Sequence, residues 1–252
     1  IWSNYNLSPF NSQIKIFEEK FYVVDTKNTL RCFSVVDGKE IWNYKTDAPF
    51  IKSQKRASLI IKNNKVIFNN SIGDITAVDT NTGDLVWQTP TQSKKIYDES
   101  MFFKNSDLIS TNNSILFSNN NNDFYSLNPT DGLLNWKKKL NSNVKPVYFN
   151  ELIFTVTNEG YLAVINNKNG DLIRSTYLFN SFKSKKRKNI KPIGFIVGKK
   201  NIYLSLNNGR LMVINISKGN VESIIKIDKE KISAPVVQGQ NLYITKNNSI
   251  IK

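Results

Sequence analysis

Short apolar runs recur along the chain at a nearly constant beat, each bounded by Asn, Asp, Gly or Pro. Runs of this length with such borders predict β-strands joined by tight turns, not helices. One unit is present in five copies: Leu30 to Trp42, Ile75 to Trp87, Phe124 to Trp136, Leu162 to Arg174 and Leu211 to Ser223. Each has an alternating apolar strand, a polar turn closed by Gly, and a second strand. The turn glycines are Gly38, Gly83, Gly132, Gly170 and Gly219, at intervals of 45, 49, 38 and 49 residues. A period in the forties with several strands per unit predicts propeller blades.

The residue types follow from the turn. The first strand of most copies ends at Asp or Asn, whose side chain can accept hydrogen bonds from backbone N–H groups further along the turn. Gly then takes a position that needs positive φ, which a Cβ disfavours. Four residues on, Trp42, Trp87 and Trp136 provide large flat side chains able to fill the gap between adjacent blades. Arg174 and Ser223 hold that place in the last two copies.

Two further elements keep the same beat. A strand precedes each unit, as in Phe21–Val24, Val66–Phe68, Ile115–Phe117, Leu152–Phe154 and Ile202–Leu204, and again at Leu242–Ile244. A proline opens another strand at Pro9, Pro49, Pro146, Pro192 and Pro235, a place where no ladder N–H is required. The expectation is an all-β chain forming one propeller over residues 1–252, with four-stranded antiparallel blades. Ile1-Trp2 before Pro9 matches Ile41-Trp42 before Pro49, so the chain is expected to begin on an outer strand. Asn247 to Lys252 matches the start of a third strand. That gives five complete blades and a partial sixth, expected to belong to an eight-bladed ring whose N-terminal blades are missing from this sequence.

Composition narrows the chemistry. The formal net charge of +15 favours acidic partners, anionic membrane surfaces or nucleic acid. The lysines are mostly scattered, and their abundance beside Asn and Ile also fits an AT-rich genome. The single cysteine, Cys32, excludes an intramolecular disulfide and a cysteine metal cluster, and reads as a small core hydrophobe. Histidine is absent, which removes His metal ligands and His-dependent triads from this chain. No apolar run is long enough to cross a bilayer as a helix.

The stretch Asp79-Thr-Asn-Thr-Gly-Asp-Leu-Val-Trp87 and the stretch Ala234-Pro-Val-Val-Gln-Gly-Gln-Asn-Leu-Tyr243 resemble the pyrroloquinoline-quinone-like propeller repeat. That family includes quinoprotein dehydrogenases and the propeller lipoprotein of the bacterial outer-membrane barrel-assembly machinery. The order of Pro146, Asn158-Glu-Gly-Tyr-Leu162, Gly170, Pro192 and Asn208-Gly209 is similar to the last blades of the lipoprotein. The resemblance implies a non-enzymatic scaffold in the periplasm that binds periplasmic domains of the central assembly subunit. Unfolded outer-membrane proteins are a further implied partner. Membrane association would come only through an N-terminal lipid anchor lying outside this sequence. The alternative is a quinoprotein-like enzyme or ligand-binding propeller. The resembling enzymes carry a vicinal disulfide, which one cysteine cannot form, so no quinone or other cofactor is expected.

Among candidate sites, Asp79 to Asp84 has oxygen ligands at short spacing but lacks the remaining ligands of an EF-hand loop, so it reads as one of five hairpin turns. The one charge cluster is Lys183, Lys185, Lys186, Arg187 and Lys188, between the fourth unit and the strand at Pro192. It reads either as a solvated insertion or as a docking site for an acidic partner or anionic headgroups. Tyr97, Phe102 and Phe103 lie in a long connection and form a candidate recognition patch. No stacking motif supports nucleic-acid binding.

Overall fold

The computed structural model describes residues 2–47, 55–91, 105–119, 122–246 and 249–251, which fall into two compact units, 1–139 and 140–252. Unit one holds three four-stranded antiparallel meanders. The first is β1 (Lys15–Phe17), β2 (Lys20–Val24), β3 (Thr29–Ser34) and β4 (Glu40–Lys45). The second is β5 (Leu59–Lys62), β6 (Lys65–Asn69), β7 (Ile75–Asp79) and β8 (Leu85–Thr89). The third is β9 (Ile109–Ser110), β10 (Ile115–Ser118), β11 (Asp123–Leu127) and β12 (Leu134–Lys139).

Unit two repeats the plan. Its first sheet is β13 (Val147–Phe149), β14 (Leu152–Val156), β15 (Tyr161–Asn166) and β16 (Leu172–Tyr177). Its second is β17 (Pro192–Val197), β18 (Asn201–Leu206), β19 (Arg210–Asn215) and β20 (Val221–Lys226). A last sheet of three strands has β21 (Val236–Gln238), β22 (Asn241–Lys246) and β23 (Ser249–Ile251).

The cores lie between sheets, and this revises the alternating pattern read for the inner strands. Val78 of β7 packs with Tyr22, Leu30 and Cys32 of the first sheet, while Ile75 and Ala77 pack with Ile115 and Phe117 of the third. Successive side chains point to opposite faces, so a strand covered on both faces is apolar throughout. The outer strands do alternate, because one row meets a neighbour and the other meets water: β8 buries Trp87 and exposes Leu85, Val86 and Gln88.

The hairpin between third and fourth strands is the same device five times. Gly38 N–H donates to the Ser34 carbonyl, Gly83 to Asp79, Gly132 to Asn128, Gly170 to Asn166 and Gly219 to Asn215. Asp79 Oδ1 also accepts from the backbone N–H of Asn81 and Thr82, and Asn215 Oδ1 from Ser217 and Lys218. In the first copy Ser34 Oγ does this work. After the turn every outer strand carries a bulge. Ala77 faces Trp87 while Val78 faces Leu85, leaving Val86 as the extra residue. The bulge re-aims the strand, and with it the Trp, toward the next sheet.

The Trp side chain then docks on the turn of the following sheet. Trp42 Nε1 donates to the Thr80 carbonyl and Trp87 Nε1 to the Pro129 carbonyl, each at 3.3 Å. A Cβ on Gly83 would stand 2.7 Å from Trp42, and one on Gly132 would stand 2.5 Å from Trp87. These glycines are thus required twice, for their positive φ and for the ring that lies on them. Trp136 is buried and stacks on Phe124 with centroids 6.0 Å apart.

The proline rule needs one correction. Pro146, Pro192 and Pro235 stand at or just before β13, β17 and β21, and Pro49 lies outside the described residues. Pro9, however, opens no strand. Its carbonyl accepts from Thr26, Phe10 makes a lone bridge to Asp25, and Ser12 bridges to Ala57 before β1 begins at Lys15. Hydrogen bonds from two sheets hold this segment, and ladder pairing starts only after it.

Candidate interaction surface

The basic run lies in the connection from β16 to β17, and this connection is a built element. Leu178 and Phe179 are buried at its entry, and Ile190 is buried at its exit. Gly160, in the β14–β15 turn, has φ +96, and a Cβ there would stand 2.3 Å from the Phe179 ring. Its carbonyl accepts from Leu178 N–H at 2.9 Å. A turn of 3-10 helix, Phe179–Ser181, leads into the short helix α1, Ser184–Arg187. At the far end Asn207, in the β18–β19 turn, accepts from Lys191 N–H and donates to the Asn189 carbonyl, both at 2.9 Å.

The structure divides the five basic residues. Arg187 turns inward: its Nε donates to the Phe182 carbonyl at 2.8 Å, another nitrogen donates to the Asn180 carbonyl at 2.9 Å, and its guanidinium stands 5.9 Å from the Tyr177 ring. It staples the insertion. Lys183, Lys185, Lys186 and Lys188 point into solvent.

Residues that the linear run does not include join this surface. Phe182, Asn208 and Arg210 line, with Lys185, Lys186 and Ile190, a concavity of about 370 Å³. The Arg210 guanidinium stands 6.0 Å from the Phe182 ring and donates to the Asn208 carbonyl at 3.2 Å. The only signal available for Arg210 was topological. In a meander, the turn from second to third strand opens at the same end as the connection into the sheet. Asp228, whose carbonyl would lie 2.3 Å from a Cβ on Gly209, directs its carboxylate to Lys246 at 3.3 Å, and among the described residues no carboxylate forms an ion pair with Arg210.

Elsewhere the readings resolve as packing. Cys32 is fully buried among Tyr22, Leu30 and Phe68, and burial pushes its thiol up to about 11. A thiol held protonated in this way is a poor nucleophile and metal ligand. The Asp79 carboxylate is engaged in its own turn. Tyr97, Phe102 and Phe103 lie outside the described residues.

Meander sheets of four strands, joined by Trp-on-Gly docking, define the class: a β-propeller of pyrroloquinoline-quinone-like repeats. The family model described as outer membrane protein assembly factor BamB matches residues 1–176, and the chain belongs to that family. Among solved structures it is similar to BamB from Moraxella catarrhalis, with a TM-score of 0.79 and 17% identity over 99% of this chain and 73% of that one. It is also similar to a quinohemoprotein alcohol dehydrogenase from Pseudomonas putida HK5, with a TM-score of 0.65 and 11% identity over 90% of this chain and 43% of that one. At such identities these two likenesses speak to the fold. A comparison with curated proteins gives no match.

Proposed function

We propose that the protein is a non-enzymatic scaffold in the assembly of outer-membrane β-barrel proteins, working in the bacterial periplasm against the outer membrane. The observation that carries this reading is the family match over residues 1–176. The likeness to the Moraxella protein along nearly the whole chain is consistent with it. In this reading the six sheets are blades of one propeller, with eight in the intact ring, and a lipid anchor lies outside the sequence. The partner is the set of periplasmic domains of the central assembly subunit.

The contact surface we propose includes Lys183, Lys185, Lys186 and Lys188, which an ordered, stapled insertion presents to solvent. A preformed loop loses little conformational entropy on binding, and a positive surface speeds encounter with an acidic one. Copurification from detergent-solubilised envelopes tests the scaffold reading. The tagged, full-length protein should recover the barrel-assembly subunit, and failure to recover it would overturn the reading.

A further inference from the structure

We infer that the concavity beside the insertion is a seat for a carboxylate-bearing, apolar-flanked peptide segment of a protein partner, with Arg210 as its anchoring group. The inference rests on the scaffold reading for the identity of the partner, and on geometry alone for the chemistry. Three cationic side chains, Lys185, Lys186 and Arg210, border one recess of about 370 Å³. None of the three has a carboxylate partner among the described residues. Uncompensated cations around a recess attract an anion more strongly than the same charges on open surface, since nearby low-dielectric walls reduce screening.

The chemistry of the recess is mixed. Phe182 and Ile190 supply apolar wall, and Arg210 lies against the Phe182 ring at 6.0 Å. With one nitrogen on the Asn208 carbonyl, the guanidinium retains donors for a fork-like grip on a carboxylate. Arg is among the residues enriched at the energetic centres of protein interfaces.

A protein segment fits better than a membrane. The apolar residues of the insertion are drawn inward, Phe179 fully and Ile190 to 4% exposure, so no apolar side chain stands out to enter a bilayer. What projects is lysine and small polar side chains, while Arg210 is half-buried at the recess, where a side chain can reach it.

The test uses a short fluorescein-labelled peptide alternating Glu and Leu, its Gln-Leu counterpart, and phosphatidylglycerol vesicles. Fluorescence anisotropy should show that the wild-type protein binds the Glu peptide about tenfold more tightly than the Gln peptide, a difference of about 1.4 kcal/mol. Arg210→Gln should abolish that preference, and Arg210→Lys, which keeps the charge but loses the fork, should retain part of it. Lys199→Gln, in the exposed β17–β18 turn at the opposite end of the sheet, should lower affinity less than twofold. Equal binding of the two peptides would overturn the inference. So would an Arg210→Gln protein that folds, by circular dichroism, and still discriminates. Vesicle binding that needs Arg210, without peptide discrimination, would replace the segment with a lipid headgroup. Recovery of the assembly subunit is a separate measurement, so the scaffold reading can fail while peptide discrimination stands, or survive its loss.

Discussion

Two joints between neighbouring sheets do the same work with different chemistry. In residues 1–139, Trp87 lays its indole on Gly132 and donates to the carbonyl three residues before that glycine. In residues 140–252, Arg174 holds the position of the Trp and faces Gly219. Its guanidinium donates to the Ile216 carbonyl at 2.7 Å, again three residues before the glycine, and also to the Ser217 carbonyl. Both residues follow the bulge of an outer strand, opposite Ala77 in one case and Val164 in the other. Backbone geometry and one donated hydrogen bond are therefore what the joint requires, and the flat ring is one way of meeting it. The Trp form adds apolar burial, about 25 cal/mol for each Å² removed from water. The Arg form replaces that with a second hydrogen bond and leaves its Nε without an acceptor.

The glycine at each joint offers the largest test. Gly132 and Gly219 have nearly the same φ, +74 and +76, so alanine strains the backbone equally at both, by roughly 1–2 kcal/mol. Their neighbours differ. A Cβ on Gly132 would stand 2.5 Å from the ring of Trp87, itself only 7% exposed and unable to withdraw. On Gly219 the nearest atoms are Thr176 Oγ1 at 2.9 Å and Arg174 Nε at 3.0 Å, a milder overlap. Gly132→Ala should thus add an overpacking cost and total about 3 kcal/mol, against about 1–2 kcal/mol for Gly219→Ala. Urea denaturation of both variants measures the difference. Equal losses would mean that the ring on the turn contributes nothing to the joint.

This device was legible in the sequence because it repeats. Gly at a fixed place, Asp or Asn four residues before it, and Trp four after it are local features, and each reports its own geometry. Arg174 was visible as a departure, but its equivalence to Trp was not, because a donor aimed at a carbonyl 42 residues away in sequence leaves no local mark. The site shows the same division. Lys183 to Lys188 stood out as a run, yet Arg187 turned inward to bind its own loop, and Arg210 arrived from the next hairpin. Pro9 marks a third limit: a proline announces where a chain can extend, while pairing depends on which neighbours supply hydrogen bonds.

Alkaline pH gives a test of intermediate size. Cys32 faces Trp42 in the ladder and is wholly buried, and burial raises its thiol from 9.0 to about 11. The unfolded chain loses this proton near pH 9 while the folded chain keeps it. Stability from this group is thus complete below pH 9 and falls as pH rises toward 11, by about 2 kcal/mol. Cys32→Ala should start about 1 kcal/mol below wild type at neutral pH, from lost packing, and the gap should close or invert by pH 11. Denaturation midpoints of the two proteins across that range are the measurement. A gap that stays constant would show that the thiol ionises without disturbing the Trp42 joint.

The smallest expected effect is the most direct test of equivalence. Arg174→Trp would rebuild in residues 140–252 the joint seen around Trp87. The site is prepared for it: Gly219 has no Cβ in the way, and Thr176, two residues on, stands against the glycine as Thr89 stands against Gly132. The substitution removes two hydrogen bonds to carbonyls, costing about 1–3 kcal/mol. It also removes a buried Nε without an acceptor, restores one indole donor to the Ile216 carbonyl, and buries a ring. These contributions nearly cancel, so stability should stay within about 1 kcal/mol of wild type, whereas Arg174→Ala, with nothing to replace the bonds, should lose about 2 kcal/mol. Urea denaturation decides the matter. If Arg174→Trp proves as damaging as Arg174→Ala, then the turn at Gly219 is shaped for a guanidinium, and the two joints are distinct solutions instead of variants of one.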